Sequence, residues 1–256
     1  MQKFWLTLLV FFLLFAQNAS IVFATEAEFT QNRKNYLAAL ENYDKARNEY
    51  LTARNTYLKF KTLISKQDAF DKTRAYLTSI NNLLKAYIIT FRSKVEDVPG
   101  QDPKIKQVIL NNLEKELIFL GEFQTTLNKT QLLEDFPKHA QTLAGRYAQL
   151  KQEIKKDTLL LKVAERRSIV AASIEIANQL QDQIESARIK GKNTKNIDRG
   201  PLEMRNLLDT AEQKVRFAQT AAEGANQGGV EGRLSETTEL ILQSYQFARE
   251  IIRGLL

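Results

Sequence analysis

Apolar residues return at heptad spacing along most of the chain, the pattern of helices that pack along their length. The clearest row is Phe29, Tyr36, Tyr43, Tyr50, Tyr57 and Ile64, with Ala39, Ala46, Ala53 and Phe60 as a second row beside it. Together they form a seam of large aromatic residues against small alanines, on a helix predicted from about Glu26 to Leu63. A second helix, from about Lys66 to Val95, carries Phe70, Leu77, Ile80, Leu84, Tyr87 and Phe91 in a row one residue out of phase. Ser65-Lys66-Gln67-Asp68 lies at the slip and resembles a capping box with Asp in place of Glu. An antiparallel hairpin is expected here, with a single kinked helix as the alternative.

Val98-Pro99-Gly100-Gln101-Asp102-Pro103 breaks the pattern. Asp102 suits an N-cap and Pro103 a first helical position. A third helix then runs to about Asn128, with Leu110, Leu113, Leu117, Leu120 and Leu127 on one face and Ile109, Ile118 and Phe119 widening it. After a break at Phe136-Pro137, a long fourth helix is predicted from about Lys138 to Arg188. Its rows are Leu143, Tyr147, Leu150, Ile154 and Leu161, then Ile169, Ala172, Ile176, Leu180 and Ile184. They fall out of register at Glu165-Arg166-Arg167-Ser168. A fifth helix, about Pro201 to Glu223, has Leu208, Ala211, Val215, Ala218 and Ala222 as its seam. Residues 224–229 read as a flexible linker. The sixth helix carries Leu234, Ile241, Tyr245, Ala248, Ile252 and Leu255.

A helix buries its stripe only against partners that run alongside it, so matching lengths suggest the grouping. The third helix and the first half of the fourth are each roughly 40 Å long, and the last three segments roughly 35 Å. The fold class expected is all-α: an elongated up-and-down helical bundle of about six helices. Residues 25–164 would form an N-terminal bundle and residues 165–256 a three-helix bundle, with the fourth helix shared between them. Only four prolines and ten glycines in 256 residues favour long helices over a turn-rich β fold.

The N-terminus changes the picture of location. Lys3 precedes the apolar stretch Phe4–Ala16, and Val22-Phe23-Ala24 offers compact residues where a signal peptidase needs them. A secretory signal peptide over residues 1–24, cleaved after Ala24, is the reading; an N-terminal membrane anchor is the alternative. The apolar stretch is shorter than the roughly 20 residues that span a bilayer. The protein is therefore expected outside the cytoplasm, extracellular or in the periplasm or cell envelope, with no transmembrane segment in the mature chain. The absence of cysteine leaves a packed core, without disulfides, to hold it.

Loss of Lys3 with the leader leaves a net +6 from the +7 of the whole chain, a modest excess whose distribution is more informative. The stretch 188–199 gathers Arg188, Lys190, Lys192, Lys195 and Arg199 against the single acid Asp198. Such a loop is either a solvated connection or a contact for an anionic surface, phospholipid or envelope polymer. Nucleic acid is disfavoured, because export removes the usual partner and no aromatic residue is interleaved for stacking.

The tyrosine row Tyr36, Tyr43, Tyr50 and Tyr57 admits two readings: core packing within the chain, or a partly exposed seam for another helix. Tyrosine tolerates a wet boundary better than leucine. His139, the only histidine, has no orienting partner in its neighbourhood and reads as structural or surface. One His and no Cys argue against a transition-metal site. Glu26/Glu28, Glu114/Glu116 and Glu134/Asp135 read as solvated faces, and Gly224, Gly228, Gly229 and Gly232 lack the strand and the Lys-Ser/Thr of a phosphate loop. Asn128-Lys129-Thr130 matches a glycosylation acceptor by pattern alone.

No catalytic residue, cofactor or metal is assigned. The function expected is that of an exported, non-enzymatic helical bundle with a structural or protein-interaction role, through a protein partner or self-association. A peripheral binder of anionic membrane or envelope polymer through the basic loop is one alternative, and an enzyme whose site is scattered through the sequence is another.

Overall fold

A computed structural model describes residues 2–224 and 227–255, with side chains from Ala27 onward. The leader expected over residues 1–24, its cleavage after Ala24 and the alternative of an anchor fall outside the residues whose side chains are described. Six α-helices make up the described chain: α1 (Gln2–Phe60), α2 (Leu63–Asp97), α3 (Pro103–Lys129), α4 (Phe136–Ile189), α5 (Gly200–Glu223) and α6 (Val230–Leu255). One 3-10 turn, Leu133–Asp135, leads into α4. The protein is an all-α helical bundle, with no strand among the described residues.

Chain contacts group these elements into two compact units, with boundaries at Asp97/Val98, Asp102/Pro103 and Gln149/Leu150. The boundary within α4 precedes the register slip at Glu165, where the sequence placed it. The first unit contains α1, α2, α3 and the start of α4. The second contains the rest of α4 with α5, α6 and the short connector Val98–Asp102.

In the first unit α1 and α2 form an antiparallel hairpin rather than one kinked helix. Asn32 Nδ2 donates to Ser93 Oγ at 2.9 Å near one end, and Lys72 Nζ reaches Glu49 at 2.8 Å nearer the other. The turn is sharper and earlier than the sequence indicated. Lys61 adopts φ +51°, the left-handed conformation that ends a helix, and its N–H returns to the Tyr57 carbonyl. A reciprocal cap follows: Ser65 N–H donates to Thr62 Oγ1 at 3.1 Å and Thr62 N–H to Ser65 Oγ at 3.0 Å. The cap thus begins at Thr62, three residues before the Ser65 start that the sequence pattern marked. The tyrosine row in consequence stops at Tyr57. Ile64, its expected last member, lies beyond the turn and is 83 % exposed.

α3 runs antiparallel to α2 and is pinned by a polar ladder. Asn81, fully buried, donates to the Leu120 carbonyl at 3.0 Å and to Gln124 Oε1 at 3.1 Å, and Gln124 donates onward to Thr78 and Asn128. Leu113, Leu120 and Leu127 are buried as expected, whereas Ile118 faces out. Glu116, expected on a solvated face, is also buried and forms a bidentate pair with Arg146 of α4, whose guanidinium lies over Phe119 at 5.2 Å. Two apposed groups at that geometry offset much of the cost of burying the carboxylate.

The second unit gathers the rest of α4 with α5 and α6. α5 runs antiparallel to α4, with Arg205 on Asn178 and Arg167 on Gln219. α6 returns antiparallel to α5 through Lys214–Glu236. The α5 seam is the driest line among the described residues: Met204, Leu208, Ala211, Val215, Ala218 and Ala222 are all at most 1 % exposed. On α4 the buried face is Val170, Ser173, Ala177, Leu180 and Ile184, so the expected row Ile169, Ala172, Ile176 is one residue off. This face meets α6, where Ser173 Oγ lies 3.2 Å from the Tyr245 hydroxyl. On α6 Ile251 similarly takes the buried place expected for Ile252. Gly100, in the connector, sits at φ +73° where a Cβ would come within 2.7 Å of the Ala164 carbonyl, so only glycine lets this segment lie on α4.

Candidate functional site

The tyrosine row becomes a wet, layered seam. Tyr36, Tyr43, Tyr50 and Tyr57 are all half-buried, and Ala53 is the only member of the companion row that is buried. α2 supplies aromatic partners. Tyr50 stacks on Tyr76 at 5.0 Å with the rings 9° apart, Tyr43 meets the same ring at 5.8 Å, and Tyr36 meets Tyr87 at 5.8 Å. Burial, with a hydrogen bond to Tyr43 and the neighbouring Tyr50, pushes the Tyr76 phenol up to about 12. Burial likewise raises Tyr87, with Tyr36 and Tyr147 adding to it. Tyr76 and Tyr87 are therefore uncharged through the physiological range. The seam offers stacking faces and hydroxyls rather than an acid or a base.

Beside the seam lies a groove between α1, α2 and the start of α4. One cavity, about 460 Å³, is lined by Tyr43, Tyr76, Leu83, Ala140, Leu143 and Tyr147 among others. The next, about 380 Å³, continues it past Tyr50, Tyr57, Leu58 and Pro137, and the two share Tyr76, Leu77 and Ala140. The α4 wall sets two small residues, Ala140 and Ala144, among larger ones such as Leu143 and Tyr147. Leu37, Leu51 and Leu58, one position beyond three of the four tyrosines, are 36–52 % exposed and carry the apolar strip out of the groove onto the α1 surface.

The basic loop has a different character. A Schellman motif ends α4: Lys192 N–H donates to the Ala187 carbonyl at 3.0 Å and Gly191 N–H to Arg188 at 2.9 Å, with Gly191 at φ +77°. Arg188 is paired to Glu185 and to Asp198, and Arg188 and Thr194 together hold the Asp198 carboxyl below its usual range, Thr194 more strongly. Lys192 Nζ donates to the Leu255 carbonyl at 2.9 Å, a favourable place for a cation at the end of α6. Ile197 is buried against Gly254, where a Cβ would come within 2.5 Å of its Cγ2. Lys190, Lys195 and Arg199 remain exposed. The structure brings the five bases to one end of the second unit, but it commits Arg188 and Lys192 to the loop's own architecture.

His139 is half-buried among Phe123 and Phe136, with Nε2 2.9 Å from Thr130 Oγ1. The threonine hydroxyl gives its proton to the Thr126 carbonyl at 3.0 Å, so the imidazole is the donor. That threonine, buried, belongs to the Asn128-Lys129-Thr130 triplet. Among the described residues no three His, Asp or Glu side chains gather closely enough for a metal ion.

One feature escaped the sequence pattern. Phe60, Leu63 and Ile64 at the α1–α2 turn are 59, 84 and 83 % exposed. Spacing gave no signal of this: Phe60, Leu63 and Ile64 stand at i, i+3 and i+4, the spacing of a single helix face, and the heptad rows took in Phe60 and Ile64. No known protein family matches the chain, and no curated protein or solved structure matches it either.

Proposed function

We propose that the chain is an exported, non-enzymatic interaction protein, and that the tyrosine-lined groove of its first unit receives an amphipathic helix of a partner protein. The observation that carries this is the continuity of the groove. Its apolar lining follows α1 from Tyr43 to Tyr57 and α4 from Ala140 to Tyr147. At 1.5 Å per residue, that α1 stretch is roughly 20 Å, or about four turns of a guest helix. A helix presenting apolar residues at i, i+3, i+4 and i+7 would meet tyrosine faces on the α1 wall and a mixed wall of Ala140, Leu143, Ala144 and Tyr147 on α4. The tyrosine hydroxyls supply hydrogen bonds at its rim, and Arg54 adds one cation to the lining.

Export rests on the leader pattern of residues 1–24. Protein recovered from outside the cytoplasm should begin at Thr25 by intact mass. Retention of residues 1–24 would favour an anchor instead.

The groove is tested by a photo-crosslinking amino acid placed at Leu58, with Phe217 on the exposed face of α5 as the control position. An adduct of defined mass from position 58 alone, mapped to a helical segment with the i, i+3, i+4, i+7 apolar pattern, is the expected result. A homodimeric adduct would make the partner a second copy. No adduct at 58, or equal adducts at both positions, sinks the groove.

A further inference from the structure

We infer that the α1–α2 turn is a membrane-docking tip, which seats the first unit on a bilayer containing anionic phospholipid. This goes beyond the groove reading and rests on different residues.

The turn presents Phe60, Leu63 and Ile64 almost without cover. Leu132, 59 % exposed, lies at the same end of the unit, because Lys66 at the start of α2 bonds Glu134 of the neighbouring turn at 2.7 Å. Large aliphatic side chains more than four-fifths exposed have no walls around them. A protein partner would have to supply the whole pocket, whereas hydrocarbon closes around any shape. Single exposed leucines are ordinary, but adjacent ones at the apex of a hairpin are not.

The charges around the tip point to lipid of one kind. Lys59 and Lys61 flank Phe60, and the Lys59 ammonium lies 5.1 Å from the Phe60 ring. Lys66 follows one turn away. Glu134 is held by Lys66, and Asp68 lies a turn deeper on α2. Apolar residues projecting past a collar of lysines match the layered chemistry of a bilayer: acyl chains inside, anionic headgroups outside. The backbone supports the same reading. Lys61 occupies a left-handed position at φ +51°, where glycine is the unstrained choice, so the chain keeps a cation at this point against local preference. The reciprocal Thr62–Ser65 cap fixes the turn and aims Leu63 and Ile64 outward from the first turn of α2.

The test uses the chain from Thr25 onward, without the apolar leader, and a single reporter. The protein has no cysteine, so L63C labelled with an environment-sensitive fluorophore reports the tip alone, and L242C, on the exposed face of α6, is the control. Vesicles are phosphatidylcholine with or without phosphatidylglycerol. The expected result is a blue shift at position 63, quenched by lipid-borne spin label, only with the anionic vesicles and absent at position 242. In parallel sedimentation of the unlabelled protein, L63S/I64S should weaken binding to anionic vesicles about tenfold or more, the loss expected from removing two inserted aliphatic chains. K59E/K61E should weaken it as well and flatten its salt dependence. An unshifted label at position 63, or sedimentation unchanged by L63S/I64S, overturns the proposal. A blue shift that is equal with neutral vesicles overturns the role assigned to the lysines. Because the groove residues are untouched, crosslinking at Leu58 reads independently of either outcome.

Discussion

The α1 and α5 seams are both heptad rows, yet they solve opposite problems. α5 sets methionine and leucine at its start and alanine and valine along the rest, and six of its positions lie at or below 1 % exposure. Small residues at the contact let the axes close up and leave nothing for water to reach. α1 uses tyrosine, whose ring packs while its hydroxyl stays wet, and its four seam tyrosines are all half-buried. The second unit thus completes its own core along α5. The first leaves a lined groove along α1. Two rows with the same period in sequence differ in whether the contact is finished.

The comparison breaks most readily at its energetic extremes. Leu208→Ala on α5 should cost about 3 kcal/mol of unfolding free energy, because a fully enclosed side chain leaves a cavity behind. Tyr50→Ala on α1, removing a larger but half-wet side chain, should cost only about 1–2 kcal/mol. Denaturant titrations followed by circular dichroism measure both, and equal losses would dissolve the distinction between a closed seam and an open one.

The first unit does contain one deeply committed polar contact, and it sharpens the contrast. Arg146→Met should cost about 2–3 kcal/mol, since Glu116 would keep its burial and lose its bidentate partner. Adding Glu116→Gln should recover most of that loss. A double variant as unstable as the single one would mean that the arginine acts chiefly by covering Phe119.

Next in size is an exception on the dry side. Asp157, on the second-unit part of α4, has its carboxyl pushed up to about 6 by burial and then by Glu153, with Lys156 opposing. Between the ordinary value of 3.8 and about 6 the native state holds more protons than the unfolded chain, so stability falls as pH rises through that window. Asp157→Asn should add about 1–2 kcal/mol at neutral pH, allowing for partial exposure, and nothing below about pH 4. A gain that persists at acid pH would show that burial of charge is not the cause. Smallest of all, Lys61→Gly should relieve the left-handed backbone and raise stability by about 0.5 kcal/mol, with the entropy of a freer unfolded chain offsetting part of the gain. Differential scanning calorimetry resolves an effect of that size.

The helices themselves were legible in sequence because apolar periodicity and turn residues are local. Leu208 through Ala222 could be placed from spacing alone, and Asp102-Pro103 marks a helix start wherever it occurs. What could not be read depended on distant partners. The α4 face is Ser173 and Ala177 rather than Ile169 and Ile176, and the partner that Ser173 meets, Tyr245, is 72 positions away. Glu116 looked solvated because its arginine is 30 positions away. The five loop bases looked alike until Glu185, Asp198 and the end of α6 claimed two of them. Of the surfaces, the tyrosine row was visible as a row. The groove beside it needed the alanines of α4, and the apolar tip needed a turn at Lys61 that heptad counting ran straight through.

The clasp between the α4–α5 loop and the end of α6 has a consequence for biosynthesis. Lys192 finds its acceptor on Leu255, 63 positions later, and Ile197 has its seat on Gly254. While the polypeptide is still being made, the helices before that loop can collapse on one another, but the loop must wait for the last turn to emerge. Its order therefore waits for α6, so a chain interrupted before Gly254 would carry an unlatched, protease-accessible loop beside helices that are already assembled.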